Sequence, residues 1–197
     1  MKGKNFFLNQ LNQFIPVVLG VYVGILASNW NENRMRRVEQ NEYIENLKLE
    51  IQANKVKLEE ALTYQKDILQ STRQIKKELD RDILEGAFWK MGHWTLIPDW
   101  EGLKIPKLEN AVHQSGIMTN SLSGLDFHII HTISQSYSHQ DDYKLYAQRL
   151  ILDNLTLLDN QIKTVEVLNK LEVWQDVMNI EKELIEHYNE TLEKLGK

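Results

Sequence analysis

The sequence predicts an all-α protein: an N-terminal transmembrane helix, then an antiparallel helical bundle with long coiled-coil-like helices and an irregular, tryptophan-rich cap. Three observations predict this fold. An uninterrupted apolar run occupies residues 14–27. Residues 36–84 and 125–195 contain neither glycine nor proline, so long helices are unbroken there. No convincing alternation of apolar and polar residues indicates a strand.

The apolar run is the first element. Its 14 residues are fewer than the roughly 20 that a helix needs to cross a bilayer. Apolar residues upstream extend the stripe (Phe6, Phe7, Leu8 and Leu11). We therefore predict a retained transmembrane helix at residues 14–30 after a short lead-in at residues 1–13. A cleaved signal peptide is the alternative, although residues 25–27 match a cleavage site only loosely.

Small and polar residues in this region indicate packing between membrane helices. Gly20 and Gly24 form a G-x-x-x-G pattern, which allows close helix approach in lipid, although glycine is common in membrane helices generally. Asn12 and Gln13 are less costly in a helix–helix contact than against hydrocarbon. The alternative is an amphipathic lead-in lying among the headgroups.

Aromatic and basic residues after the run are typical of a membrane interface, where we expect contact with membrane lipids. The predicted interfacial anchor consists of Trp30, Arg34, Arg36 and Arg37. Lys2 and Lys4 flank the other end of the run. Because the basic residues are nearly balanced, charge leaves the orientation open.

Residues 31–197 are predicted to form one helical bundle outside the membrane, beginning with a long helix at 36–84. Apolar residues recur there at two heptad positions: Ile44, Ile51, Leu58 and Leu79, with Thr72, at one, and Leu47, Ala61, Ile68 and Ile75 at the other. Asn54 and Gln65 interrupt the pattern. The interruptions favour packing within a bundle over a two-stranded zipper.

Residues 86–124 are rich in glycine and proline and predict the irregular cap. One short helix is expected at 107–115, because Pro106 suits a helix start and Gly116 a stop. Trp89, Trp94 and Trp100 are candidate contacts for a partner or ligand. Packing of these tryptophans onto the end of their own bundle is the alternative.

Residues 125–195 predict the returning helices. Ser123 can cap a helix that reaches about Tyr137, and Ser138 can begin the next. A break near Glu172 is allowed, although no helix breaker demands it. These helices are long enough to return along the first one, which predicts an antiparallel bundle.

Composition and motifs restrict the chemistry. The net charge of −5 argues against general nucleic-acid binding, which needs a basic surface. The absence of cysteine excludes disulfides and thiolate metal sites. His128 and His131 could share a helix face as metal ligands; the alternative is that they are partly buried polar residues. No known catalytic or phosphate-binding motif occurs, so we expect no cofactor and no enzymatic activity.

Short motifs carry a resemblance to a known family. The matching segments are Val17-Val18, Gly24-Ile-Leu-Ala27, Asn29-Trp-Asn-Glu32 with the three arginines that follow, and residues 109–118 leading to Tyr137. The chain resembles uncharacterised bacterial single-span membrane proteins that share a domain of unknown function. It departs from their pattern at Pro16 and Tyr22 and has fewer basic residues before the span. The resemblance implies a bacterial inner-membrane location with the bundle in the periplasm, and it implies no activity.

The leading functional hypothesis is a non-enzymatic, membrane-anchored scaffold or accessory subunit of an inner-membrane protein assembly. We expect it to act through protein–protein contacts, as a homo-oligomer or with other membrane-protein subunits. A second hypothesis is a sensor in which the cap at 89–124 binds a ligand and signals through a partner protein. A third is a metal-dependent hydrolase that uses His128 and His131.

Overall fold

The computed structural model describes the backbone of residues 2–91, 96–154 and 159–196, and the side chains of residues 16–89, 96–153 and 159–196. Its helices are α1 (Lys2–Glu78), α2 (Arg81–Glu85), a short 3-10 helix (Phe88–Met91), α3 (Ala111–Met118), α4 (Phe127–Asn154), α5 (Thr164–Glu172) and α6 (Trp174–Leu195). The described residues form no strand, apart from a single bridge between Ala87 and Lys163. The all-α prediction is therefore confirmed.

The chain divides into two compact units, Met1–Glu45 and Asn46–Lys197. The described part of the first unit is the amino-terminal portion of α1, which contains Pro16 in its interior. Its apolar side chains are largely exposed, for example Val17 at 62% and Tyr22 at 60%. This unit therefore contributes little to a hydrophobic core.

The predicted transmembrane helix at residues 14–30 is wrong. Among the described residues, no helix combines the length and the apolar content of a membrane span. Helix α1 is long enough, but its uninterrupted apolar run covers only roughly 21 Å of a hydrocarbon core about 30 Å thick. Asn12 and Gln13 precede the run, and Ser28 and Asn29 follow it. Any segment long enough to cross the bilayer therefore includes polar residues. The predicted inner-membrane location, with a periplasmic bundle, is overturned by the same finding.

In the second unit, α1 and α4 run in the same direction. Glu50 of α1 accepts a hydrogen bond from Tyr137 of α4, and one turn further along, Asn54 contacts Gln140. Residue numbers thus increase in the same direction along both helices, so the two helices are parallel. The prediction that all the later helices return along the first one is wrong for α4, because the cap carries the chain back to the level of Glu50 before α4 begins.

Helix α6 runs antiparallel to both. Gln65 of α1 contacts Glu181 of α6. Further along α1, Lys76 pairs with Glu172, the last residue of α5, which lies just before the start of α6. On the other side, Tyr143 of α4 also contacts Glu181. The core of the second unit is thus a three-helix arrangement in which α6 alone opposes α1 and α4.

The residues of the predicted heptad positions supply much of this core. Within the second unit, Leu47, Ile51, Leu58, Ala61, Ile68 and Thr72 are buried. Asn54 and Gln65, which interrupt the apolar pattern, are as deeply buried as their apolar neighbours. The interruptions are therefore polar positions inside the bundle, as the sequence pattern favoured.

The cap is tied to the segment before α5 by a short backbone pairing. The Phe88 amide donates to the Ile162 carbonyl at 2.9 Å, and the Thr164 amide donates to the Gly86 carbonyl at 3.0 Å. Phe88, Ile162 and Val167 form a small separate core at this point. The pairing fixes the 3-10 helix against α5.

Several helix boundaries differ from the sequence prediction. The long helix predicted at residues 36–84 belongs to α1, which ends at Glu78, and α2 follows as a separate helix. Helix α3 begins at Ala111 rather than at residue 107, because Asn54 holds the backbone of Glu109 in a non-helical conformation. Helix α4 continues through Ser138 without a break. A serine inside a helix need not act as a cap when packing on both sides maintains the helix.

Candidate functional site

A groove of about 760 Å³ lies between α1 and α6 in the second unit. Its floor is apolar: Leu69 and Met178 are 3% and 4% exposed, and Leu62 continues the floor along α1. The remaining lining side chains are polar or basic: Thr63, Lys66, Gln70, Arg73, Gln74, Lys77, Gln175 and Lys182. We call this feature the basic groove.

The charge of the basic groove is unusual for an acidic chain. Lys66, Arg73 and Lys77 line it from α1, Lys182 lines it from α6, and no carboxylate of the described residues lines it. Each of the four side chains is exposed. In the described structure, none of the four forms an ion pair with a carboxylate. The groove thus presents four unneutralised cations around an apolar floor.

These four cations are not among the site residues predicted from the sequence, although the sequence contains a signal for three of them. Lys66 and Arg73 are one heptad apart and Lys77 follows one turn later, so all three share one side of α1. Lys182 is distant in sequence and reaches the groove only because α6 is antiparallel to α1. The pairing of α6 with α1 cannot be predicted from the local sequence pattern of either helix.

A buried carboxyl group occupies the same stretch of α6. Glu181 is fully buried, and its Oε1 accepts hydrogen bonds from Gln65 Nε2 at 3.2 Å and Tyr143 Oη at 2.9 Å. Burial raises the pKa of Glu181 to about 7, because desolvation disfavours the charged form. Burial, followed by the neighbouring Glu181, also raises the pKa of Tyr143.

Four buried polar atoms near this level lack a hydrogen-bond partner in the described structure. They are Gln65 Oε1, Thr72 Oγ1, Trp174 Nε1 and Glu181 Oε2. Thr72 lies one heptad beyond Gln65, and Trp174 one heptad before Glu181, so the antiparallel helices place them in two adjacent layers. We call these the lower layers. Unpartnered buried polar atoms cost stability, so these layers are poorly compensated.

A second polar layer, centred on Asn54, is more completely bonded. Asn54 Nδ2 donates to the Glu109 carbonyl at 2.7 Å, and Asn54 Oδ1 accepts from the Glu109 amide at 2.8 Å. Gln140 Nε2 donates to the same carbonyl at 3.0 Å, and its Oε1 accepts from Tyr188 Oη at 2.5 Å. We call this the upper layer. It joins α1, α4 and α6 to the segment that precedes α3.

Glu50 caps α3 from another helix. Its Oε2 accepts from the Val112 amide at 2.8 Å, and its Oε1 accepts from the His113 amide at 3.4 Å and from Tyr137 Oη at 2.6 Å. The carboxylate thus satisfies free amides at the positive end of a helix. The His113 ring stacks on Tyr137 at 3.9 Å, and burial lowers the pKa of His113.

Four of the six histidines lie in two pairs on or beside α4. His128 and His131, the predicted metal ligands, are exposed and lie beside Phe127. His139 and His187 stack at 3.8 Å between α4 and α6; burial, and next the His139 charge, lowers the pKa of His187. No group of three or more potential ligands lies together among the residues whose positions are described.

Two of the three predicted cap tryptophans can be placed. Trp89 is partly buried and meets Phe88 edge to face at 5.7 Å, beside the small core. Trp100 stacks on the buried Trp174 of α6 at 5.5 Å. Trp94 lies outside the described residues. Both described tryptophans pack on their own chain, and their proposed contact with a partner or ligand stays a prediction.

The residues predicted for the membrane interface and for membrane-helix packing belong to the first unit. A Cβ added at Gly20 or Gly24 would meet open space, and Trp30 is 72% exposed. The exposed basic residues of the predicted anchor are Arg34, Arg36 and Arg37. The side chains of Asn12 and Gln13 lie outside the described set. These roles presupposed the transmembrane helix and lose their basis with it.

Comparison with known proteins places part of the chain beside an uncharacterised family. Residues 13–91 match the model of a family of unknown function (DUF6090). The match covers most of α1, α2 and the 3-10 helix, and it agrees with the resemblance to an uncharacterised family. It supports neither a membrane span nor the motif at Asn29–Glu32. No curated protein and no solved structure gives a significant match.

Proposed function

We propose that this protein is a helical scaffold or accessory subunit that acts through protein–protein contacts. The basic groove carries this proposal, because it is a helix-lined surface with an apolar floor and with cations that no carboxylate in the described part of the chain neutralises. Apolar surface bordered by polar side chains is typical of a protein–protein contact.

Site-specific photo-crosslinking in the native host tests the proposal. A photoreactive phenylalanine analogue replaces Gln70, which lines the groove, in the full-length chain. The matched control replaces Gln148, an exposed glutamine on α4 that does not line the groove. We expect a discrete protein adduct from position 70 and none from position 148. Adducts from neither position, or equal adducts from both, would contradict the proposal.

A ligand-sensing module is the second candidate. Trp100 of the cap stacks on Trp174 of α6, and Tyr64 of α1 accepts from the Glu101 amide at 2.8 Å while donating to the Gly102 carbonyl at 2.9 Å. A change in the cap would therefore reach two bundle helices. A cavity of about 490 Å³ lies between α1 and residues 104–109.

Thermal-shift screening of a small-molecule panel tests the sensor. A binder of this cavity is expected to raise the melting temperature, and the Lys104→Ala variant is expected to lose that shift because Lys104 lines the cavity. Arg149→Ala, on an exposed part of α4, serves as the control. The sensor hypothesis fails if no compound shifts the melting temperature or if both variants respond like the parent.

A further inference from the structure

The cations of the basic groove follow helical spacing along its length. Lys66 and Arg73 are about 10 Å apart along α1, and Lys77 extends the series to about 16 Å. Lys182 stands on the opposite wall, on α6. We infer that the groove binds an acidic amphipathic helix of a partner protein, which lies alongside α1 and α6. This inference rests on the proposed function and specifies the chemistry of the partner.

The floor of the groove matches the apolar face of such a helix. Leu62 and Leu69 are one heptad apart on α1, and Met178 faces them from α6. Two packed helices leave a channel into which a third helix can place residues at i, i+3, i+4 and i+7. Methionine adapts to the shape of a bound apolar side chain. The floor therefore accepts about two turns of an amphipathic helix.

The walls select the charge of that helix. A carboxylate flanking the apolar face at heptad spacing would meet Lys66 and Arg73 in turn, and one on the other flank would meet Lys182. Because no carboxylate among the described residues lines the groove, these cations can pair with a partner's carboxylate without first breaking an ion pair within the chain. A basic helix on the same floor would be repelled by all four charges.

Other anionic ligands fit the groove less well. The cations are spread along the groove rather than converging on one point, as a single phosphate group would require. A nucleic-acid strand is usually held by aromatic side chains on which bases stack, and none of the lining residues that the structure describes is aromatic. An extended apolar floor with flanking cations instead matches a helix face.

Fluorescence anisotropy with designed peptides tests the inference on the full chain. The probe is a labelled three-heptad helical peptide with leucine at positions a and d and glutamate at e and g; the comparison peptide has lysine at e and g. We expect saturable binding of the glutamate peptide, weakened as NaCl rises to about 1 M, and no saturable binding of the lysine peptide. A labelled oligothymidine of about 20 nucleotides is expected not to bind.

Charge-reversal variants locate the binding. Arg73→Glu is expected to weaken binding about fivefold, and Lys66→Glu/Arg73→Glu about tenfold or more, because attraction becomes repulsion. Arg149→Glu is the matched control: it makes the same change of charge at an exposed α4 position outside the groove. We expect less than a twofold effect from it. Lys182→Glu tests the α6 wall independently, and circular dichroism verifies that each variant is folded.

Several results would overturn the inference. These are failure of the glutamate peptide to bind, equal binding of the two peptides, tighter binding of oligothymidine, or an equal loss for Arg149→Glu and Arg73→Glu. Self-association of the chain that Arg73→Glu abolishes would assign the groove to a second copy instead. A crosslink from position 70 without binding of the glutamate peptide would leave the scaffold function standing and refute the acidic helix alone.

Discussion

The upper and lower polar layers of the second unit differ in how completely they are bonded. In the upper layer, both ends of the Asn54 amide bond the backbone of Glu109, and Gln140 links that carbonyl to Tyr188. In the lower layers, Gln65 and Glu181 each use one oxygen or nitrogen and leave another buried atom without a partner. Two polar interruptions of one helix thus have opposite energetic consequences.

The difference shows what a buried polar residue can do in a bundle. A fully bonded group strengthens one arrangement of the chain, because every alternative leaves it unsatisfied. The upper layer accordingly fixes where the chain enters α3. A partly bonded group lowers stability without this compensation. The lower layers belong to the stretches of α1 and α6 that form the basic groove, so the candidate binding surface lies on the less well stabilised part of these two helices.

The largest expected effect comes from breaking the upper layer. Asn54→Ala removes both hydrogen bonds to Glu109 and leaves a small cavity, so we expect a loss of about 4 kcal/mol in the free energy of unfolding. Urea denaturation measures it. Asn179→Ala, at an exposed position of α6, is the control and should change stability by less than about 0.5 kcal/mol. If the two substitutions lowered the free energy of unfolding equally, the hydrogen bonds of the upper layer would contribute no more to stability than an exposed asparagine does.

The second-largest expected effect is a gain in the free energy of unfolding when the buried carboxyl group of the lower layers is replaced by an amide. The pKa of Glu181 is about 7 in the folded protein, above its ordinary value of about 4.3. The folded state therefore binds more protons than the unfolded state between these values, and stability falls as pH rises through this window. Glu181→Gln removes this titration. We expect it to stabilise the protein by about 3 kcal/mol at pH 8 and by little at pH 4.

Denaturation across pH 4 to 9 measures this effect. The parent is expected to lose stability up to about pH 7 and then level off with respect to this group, and the difference between parent and Glu181→Gln should follow the same curve. Glu60→Gln, at an exposed position of α1, is the control and should leave the curve of the parent unchanged. A difference between parent and Glu181→Gln that does not vary with pH would show that Glu181 is already charged near pH 5 in the folded state.

The sequence predicted the local features of the fold well. Heptad spacing identified Ile51, Leu58 and Ile68 as inward-facing, and these residues are buried. The same spacing showed Asn54 and Gln65 as interruptions that favour a bundle. These predictions succeeded because side-chain periodicity on a helix depends only on residues a few positions apart.

The failures arose where distant residues or a quantitative threshold decide the outcome. The start of α3 depends on Asn54, which is 55 positions before Glu109 in the chain. The direction of α4 depends on the path of the cap. The apolar run at residues 14–27 was assigned to a membrane although it is shorter than a span. Lys182 joined the candidate site only through the antiparallel pairing of α6 with α1.

The smallest expected effect concerns the hydrogen bonds from the start of α3 to Glu50. It shows whether Glu50 stabilises α3 alone or the whole upper part of the bundle. Glu50→Gln keeps the shape but replaces two acceptor oxygens by one and removes the charge facing the α3 amides. We expect a loss of about 1–2 kcal/mol and faster hydrogen exchange at Val112 and His113. Exchange at Asn54 and Gln140 should stay slow, because the Asn54 layer remains bonded. Glu60→Gln, at an exposed α1 position, should alter neither. Faster exchange at Asn54 together with Val112 would show that the cap and the upper layer open as one unit, so that Glu50 stabilises the whole bundle end rather than α3 alone.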